Sequence, residues 1–355
     1  MRIRVRNLSR PCGRRKRSRI FPFTPRILTM QAAIETVGLR KVYPAPKIPG
    51  RREKAPAGPG VLALDGLDLR VERGEFFGML GPNGAGKTTT IGILTTRVRP
   101  SGGEARVDGV EVSAQPVEVR RRIGVVPQRP NPDRALNVLE NLLFHAAYFG
   151  IAKTVALPRA FELMERLGFA DKAGAKVDAL SGGQQQRLMI ARALVHEPRV
   201  VFLDEPTVGL DPAARLGLWE ILRELHAQGR TIVMTTHYME EADQLCDRIA
   251  IIDQGKLLAM DTPAALRAQA PGGTLVELTV DGDAAAIMDA ASAVPGVERA
   301  EARGPVLRAF SERGGEVIPP LIAAAEAGGR AVKDIQLARP SLETLFISLT
   351  GRKLA

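Results

Sequence analysis

Three short phrases combine residue types that act on phosphate. "GPNGAGKTT" (Gly81 to Thr89) has the spacing G-x-x-x-x-G-K-[ST]. Its glycines, Gly81, Gly84 and Gly86, with Asn83 and Ala85 among them, let backbone N–H groups turn inward onto phosphate oxygens, and the start of the following helix adds positive potential. Lys87 would reach the outer phosphate oxygens, Thr88 would hold Mg²⁺, and Thr89 closes the phrase. "RVVFLDEP" (Arg199 to Pro206) presents Asp204 and Glu205 after an apolar run, one carboxylate for the metal shell and one to polarise an attacking water. Alone, such a pair is a helix cap or a solvated turn; beside a phosphate loop it suits phosphoryl transfer to water. In "LSGGQQQR" (Leu180 to Arg187), Ser181 can cap a helix, Gly182 and Gly183 bare its first N–H groups, and Gln184 completes an S-x-x-Q capping box. A second phosphate seat in a chain that already has one points to two chains sharing each ligand.

These phrases need elements to carry them. The run Phe76 to Leu80, the glycine turn and a helical stretch from Lys87 give the strand, loop, helix order that a phosphate loop requires. Two apolar strands, Val200 to Leu203 and Thr231 to Thr236, flank a helix around Leu216 to Gln228, which predicts a buried parallel sheet. A strand over Ile34 to Tyr43 precedes a Pro/Gly-rich insertion, Pro44 to Gly60. Between Asn137 and His196 the period is helical, as in Leu139, Leu142, Leu143, Ala146, Phe161, Met164 and Leu167. After Pro271 the predicted order is βαββαβ, a small ferredoxin-like α+β unit over 271–355 that includes a helix at Ala284 to Ala293. Its last helix, Ser341 to Leu349, is expected to pack Leu342, Leu345, Phe346 and Leu349 on its own domain. The fold class is α/β, with the main domain at 30–270 and its helical subdomain at about 129–196.

Composition narrows the classes. At 355 residues and 38.2 kDa, with 45% hydrophobic and 25% charged residues, the chain is ordinary for a folded protein of two domains. No apolar run approaches the roughly 18 residues of a membrane-spanning helix, so service to a membrane would go through a partner. Cys12 and Cys246 sit in no metal or disulfide pattern, which suggests a reducing compartment. The net charge of +11 is concentrated: residues 1–29 hold ten Lys and Arg and no Asp or Glu, and removing them leaves 40 basic against 39 acidic residues. Pro22 and Pro25 interrupt what a signal peptide would need as an apolar stretch. That segment reads as an upstream extension before Met30, a disordered basic arm, or an organellar transit peptide.

The order of the phosphate loop, Gln128 in "VVPQ", "LSGGQ", "FLDEP", "GLDP" (Gly209 to Pro212) and His237 in "TTHYMEEADQLCDRIAIIDQGK" resembles the ATP-binding cassette (ABC) ATPases over residues 32–270. The resemblance implies a P-loop NTPase core with antiparallel and helical subdomains, and ATP with Mg²⁺ as ligands. It implies that Tyr43 in "RKVY" stacks on adenine, Gln128 touches Mg²⁺ and the attacking water, His237 contacts the γ-phosphate, and Asp211 bridges protomers. Each has a plainer alternative: a strand-end aromatic, a loop residue, a satisfied histidine and a helix cap. "RPSLETLFISLTGRKL" (Arg339 to Leu354) is similar to the appended domain of drug-resistance-type exporter ATPases. That subfamily implies a homodimer on the cytoplasmic face of the membrane, coupled to a separately encoded permease whose cytoplasmic helix meets the loop after Gln128 and the segment around Leu136 and Leu142. Importer ATPases and nucleic-acid-associated cassettes are the other classes.

Overall fold

A computed structural model describes residues 32–44, 60–270, 274–338 and 341–351. The basic segment 1–29, insertion residues 45–59 and Pro271 lie outside them.

β1 (Ala32–Tyr43) and β2 (Val61–Glu72) pair antiparallel and lead into β3 (Phe76–Leu80), which delivers the phosphate loop to α1 (Lys87–Leu94). β4 (Gly102–Val107) and β5 (Val110–Glu111) complete an antiparallel sheet of order β2-β1-β4-β5, and α2 (Pro116–Arg122) returns the chain to β6 (Ile123–Val126). Helices α3 (Val138–Tyr148), α4 (Lys153–Arg166) and α5 (Gly182–Leu194) follow β6. α3 starts at a capping box, with Asn137 accepting from Glu140 N–H and Glu140 from Asn137 N–H at 2.8 and 2.7 Å.

β7 (Val200–Asp204), α6 (Pro212–Ala227), β8 (Thr231–Thr236), α7 (Met239–Leu245) and β9 (Arg248–Asp253) follow in βαβ order, closed by an antiparallel edge strand, β10 (Lys256–Asp261), and α8 (Pro263–Gln269). The central sheet runs β10-β9-β3-β8-β7-β6, with every pair from β9 to β6 parallel. Successive strand residues serve opposite faces. Phe76, Leu80, Val201, Leu203, Ile232 and Met234 join the core shared with the helical insertion and α6 to α8. Phe77, Met79, Val200, Phe202 and Val233 join the core shared with α1 and the antiparallel sheet. Both faces being covered explains the uninterrupted apolar runs.

The C-terminal part holds β11 (Thr274–Val280), α9 (Met288–Ser292), β12 (Arg299–Arg303), β13 (Val306–Ser311), α10 (Ile318–Ala327) and β14 (Val332–Ala338), an antiparallel sheet of order β12-β13-β11-β14 in the expected βαββαβ sequence. The helix expected over Ala284 to Ala293 splits into a 3₁₀ turn, Ala284–Ile287, and a short α9. α11 (Leu342–Thr350), capped by Ser341, corrects a larger expectation. Leu342, Leu345 and Phe346 do not pack only on the C-terminal sheet; they join the core of the central sheet and helical insertion with Leu245 of α7 and Leu266 of α8. Ile347 alone of this helix packs with Leu275 and Phe310 of that sheet, and Leu349 is exposed. An i, i+3, i+4 apolar stripe is indifferent to which core it enters, so the sequence pattern could not choose between the two.

Candidate active site

The phosphate loop is shaped by its glycines. Gly86, the residue before α1, has φ of 108°, and a Cβ there would meet Leu64 Cδ2 at 2.7 Å and Ala63 O at 2.8 Å. Only glycine combines that backbone with that approach. The loop carries Lys87 to a buried position, where Nζ donates to the carbonyls of Gly81 and Pro82 at 2.6 and 3.1 Å and lies 3.3 Å from Glu205 Oε1. Burial lowers the Lys87 pKa, and the facing carboxylates of Glu205 and Asp204 work against that shift.

β7 brings Asp204 and Glu205 to the same point. Asp204 Oδ1 accepts from Thr88 Oγ1 at 3.2 Å and from Thr235 Oγ1 at 2.7 Å. Glu205 has φ of 48°, a left-handed conformation that costs a non-glycine residue about 1–2 kcal/mol. Its N–H donates to Thr235 Oγ1 at 2.9 Å and approaches the Thr235 carbonyl at 3.1 Å, and these contacts hold the bend. The bend sets the Glu205 side chain against three groups: Lys87, Gln128 Nε2, which donates to Oε2 at 2.9 Å, and His237 Nδ1 at 3.4 Å from the same oxygen. Strands β3, β6, β7 and β8 thus converge Lys87, Gln128, Glu205 and His237 where parallel sheets bind ligands, at their carboxyl ends.

A cavity of about 310 Å³ opens onto this cluster, lined by Asn83 to Thr89, Gln128 and Glu205 together with Tyr43, Val61, Leu62 and Ala63. Tyr43 Oη lies 3.5 Å from Thr89 Oγ1. Ser181, Gly182, Gly183, Gln184 and Asp211 do not line the cavity. Ser181 and Gln184 form the capping box that starts α5, with hydrogen bonds of 3.3 and 3.0 Å, and Asp211 caps α6 through Ala214 N–H at 2.8 Å. The two helix starts are neighbours, since a Cβ on Gly183 would lie 3.1 Å from Ala214 Cβ. Sequence reasoning missed Thr235, which reads only as one more β-branched residue of a strand.

The sequence matches the ABC transporter family over residues 64–208. It is 42% identical over 293 residues to the Nod factor export ATP-binding protein I of Burkholderia orbicola (strain AU 1054), covering 82% of this chain and 93% of that relative. The chain belongs to the ABC transporter ATP-binding proteins. Within this ABC family it is also 37% identical over 296 residues to the linearmycin resistance ATP-binding protein LnrL of Bacillus subtilis (strain 168), covering 82% of this chain and 94% of that relative. It is 39% identical over 294 residues to the daunorubicin resistance ATP-binding protein DrrA3 of Streptomyces coeruleorubidus, covering 81% and 91%. Among solved structures, a dimeric ABC cassette in a post-hydrolysis state bound to ADP and Pi matches with TM-score 0.57 and 28% identity over 64% of this chain and 98% of that one. This ABC protein is an ATPase with the P-loop NTPase fold, of a kind that dimerises.

Proposed function

We propose that this ATPase powers export of a drug-like or other hydrophobic compound through a separately encoded membrane permease, as one half of a homodimer that closes on two shared ATP molecules. The relatives whose names concern Nod factor export and resistance to linearmycin and daunorubicin support that direction. Among the described residues no helix is long and apolar enough to cross a membrane, so the permease would supply the span and hold the ATPase at the cytoplasmic face.

The observation that carries the catalytic reading is the grouping of Lys87, Gln128 and His237 around the Glu205 carboxylate. Phosphate oxygens in the loop compete for the Lys87 ammonium and free Glu205 to accept a proton from water; Gln128 orients that water and His237 meets the γ-phosphate. Tyr43, which lines the same cavity beside Thr89, would stack on the adenine. Mg²⁺ fits the donors present, because the Thr88 hydroxyl and the Asp204 carboxylate are oxygen ligands 3.2 Å apart with Gln128 nearby on the same cavity. When bound, it would neutralise phosphate charge. Ser181, Gly182, Gly183 and Gln184 of one chain would grip the γ-phosphate held by the other, with Asp211 bridging the protomers.

Glu205→Gln tests the reading, since it keeps size and hydrogen-bonding reach but removes basicity. Hydrolysis should fall about 10²- to 10⁴-fold, and size exclusion should show a dimer in ATP·Mg²⁺ that is absent in ADP and broken by adding Ser181→Arg. Hydrolysis at the normal rate would reject Glu205 as the base.

A further inference from the structure

The central sheet has a second basic concavity at its other end. The phosphate loop leaves the carboxyl end of β3, and the five residues of that strand, at about 3.3 Å each, put its beginning roughly 15 Å away. There a cavity of about 690 Å³ is lined by Arg73 from the turn before β3, Arg199 from the residue before β7, Arg230 from the residue before β8, and Asp108 from the β4–β5 turn.

Its charges do not balance. Three lining guanidiniums face one lining carboxylate, Asp108. That carboxylate is buried and already accepts from Arg73 Nη2 at 2.7 Å and from Arg199 Nη1 and Arg122 Nη1 at 2.9 Å each. Arg122 is answered separately by Glu118 at 2.8 Å, but a single Asp108 cannot neutralise both Arg73 and Arg199. Both stay about half or more exposed, at 52% and 64% of their side chains, with most of their five donors beyond Asp108's reach. Arg230 donates Nη1 to Pro198 O at 3.2 Å, while its Nε is buried with no hydrogen-bond partner. Burial, with Arg166 close by, lowers the Arg230 pKa despite the opposing Glu197 carboxylate, so an anion here would relieve a desolvated cation.

We propose that this cavity binds a small soluble anion carrying two or more negative charges on phosphate groups, of the pyrophosphate type. Planar guanidinium forks match phosphate oxygens two at a time, which favours phosphate over a simple halide. The volume is that of a small-molecule site, which favours a soluble ligand over a flat lipid surface. The site shares no residue with the ATP cavity, so the two proposals stand or fall separately.

Pyrophosphate titrated into the full-length protein by calorimetry in Mg²⁺-free buffer should fill two sites per chain. Lys87→Ala should remove one, and the pair Arg73→Ala with Arg199→Ala should weaken the other at least about tenfold while the Lys87-dependent site remains, which shows that the variant is folded. A single site insensitive to both arginine substitutions would overturn the proposal. Arginine-dependent binding to phosphatidylglycerol vesicles without a second pyrophosphate site would also overturn it, and assign the cavity to a lipid headgroup.

Discussion

Thr235 Oγ1 donates to Asp204 Oδ1 at 2.7 Å and accepts from Glu205 N–H at 2.9 Å, so one fully buried hydroxyl on β8 holds the Asp204 carboxylate at the end of β7 and the backbone of Glu205 just after it. The proposed metal-side carboxylate and the proposed base therefore share an anchor in the neighbouring strand.

Thr235→Val keeps the shape and removes the hydroxyl. Asp204 then keeps only Thr88 as a hydroxyl donor, and the Glu205 N–H keeps only the carbonyl at 3.1 Å. Stability should drop by about 1–3 kcal/mol in urea unfolding, and kcat for ATP should fall more than tenfold. A fall in stability with unchanged kcat would show that the anchor does not set catalytic geometry.

Glu241 anchors the other flank. It is buried and accepts from Thr236 Oγ1 at 2.8 Å, and Thr236 in turn accepts from Tyr238 N–H at 2.9 Å, which pins the turn bearing His237. Glu241→Ala and His237→Ala should each reduce turnover, and the double variant should lose little more than the worse single one. Losses that multiply would mean the two residues act independently.

His145 and His196 form a pH-dependent element in the helical insertion. His196 stacks on Phe149 at 3.8 Å between ring centres, and His145 meets both rings edge-on. Burial, with Arg192 and His196 close by, lowers the His145 pKa to about 4. The unfolded chain, with an ordinary histidine near 6.5, binds the proton first, so stability is full above about pH 6.5 and falls as the pH drops toward 4. Between pH 7.5 and 5.5 His145 should account for about 1 kcal/mol of lost stability. His145→Phe should flatten that part of the urea-midpoint profile; an unchanged slope would place the titration elsewhere.

Leu142 and Phe144 separate packing from coupling. Leu142 is fully buried in the main core, so Leu142→Ala should cost about 2–5 kcal/mol and lower basal and permease-stimulated hydrolysis alike. It is therefore not the coupling probe that the motif order suggests. Phe144 and Tyr148, one helical turn apart on α3, are 69% and 74% exposed. Phe144→Ser with Tyr148→Ser should leave basal hydrolysis intact and reduce stimulation by the proposed permease. Undiminished stimulation would move the docking surface off this face.

Much of this was legible in the sequence because chemistry and local geometry coincide there. Gly86 must be glycine for its φ of 108°, Ser181 with Gln184 is a complete capping signal, and the apolar runs of β3, β7 and β8 announce a sheet covered on both faces. What stayed hidden depends on partners distant in sequence. Thr235 matters only because β8 lies beside β7, and Phe161 follows the helical period yet ends up 39% exposed. Asp211 reads as a helix cap, and within one chain it is one.

The insertion of α11 into the cassette core bears on how the molecule is made. Leu342, Leu345 and Phe346 cover Leu245 and Leu266, yet an entire antiparallel sheet is synthesised between α8 and α11. On the ribosome, α7 and α8 must therefore present uncovered apolar surface until that sheet and the helix after it have emerged. Premature termination within this stretch would release a chain whose catalytic phrases are all present but whose core is open, a substrate for chaperones and proteases rather than a smaller working enzyme.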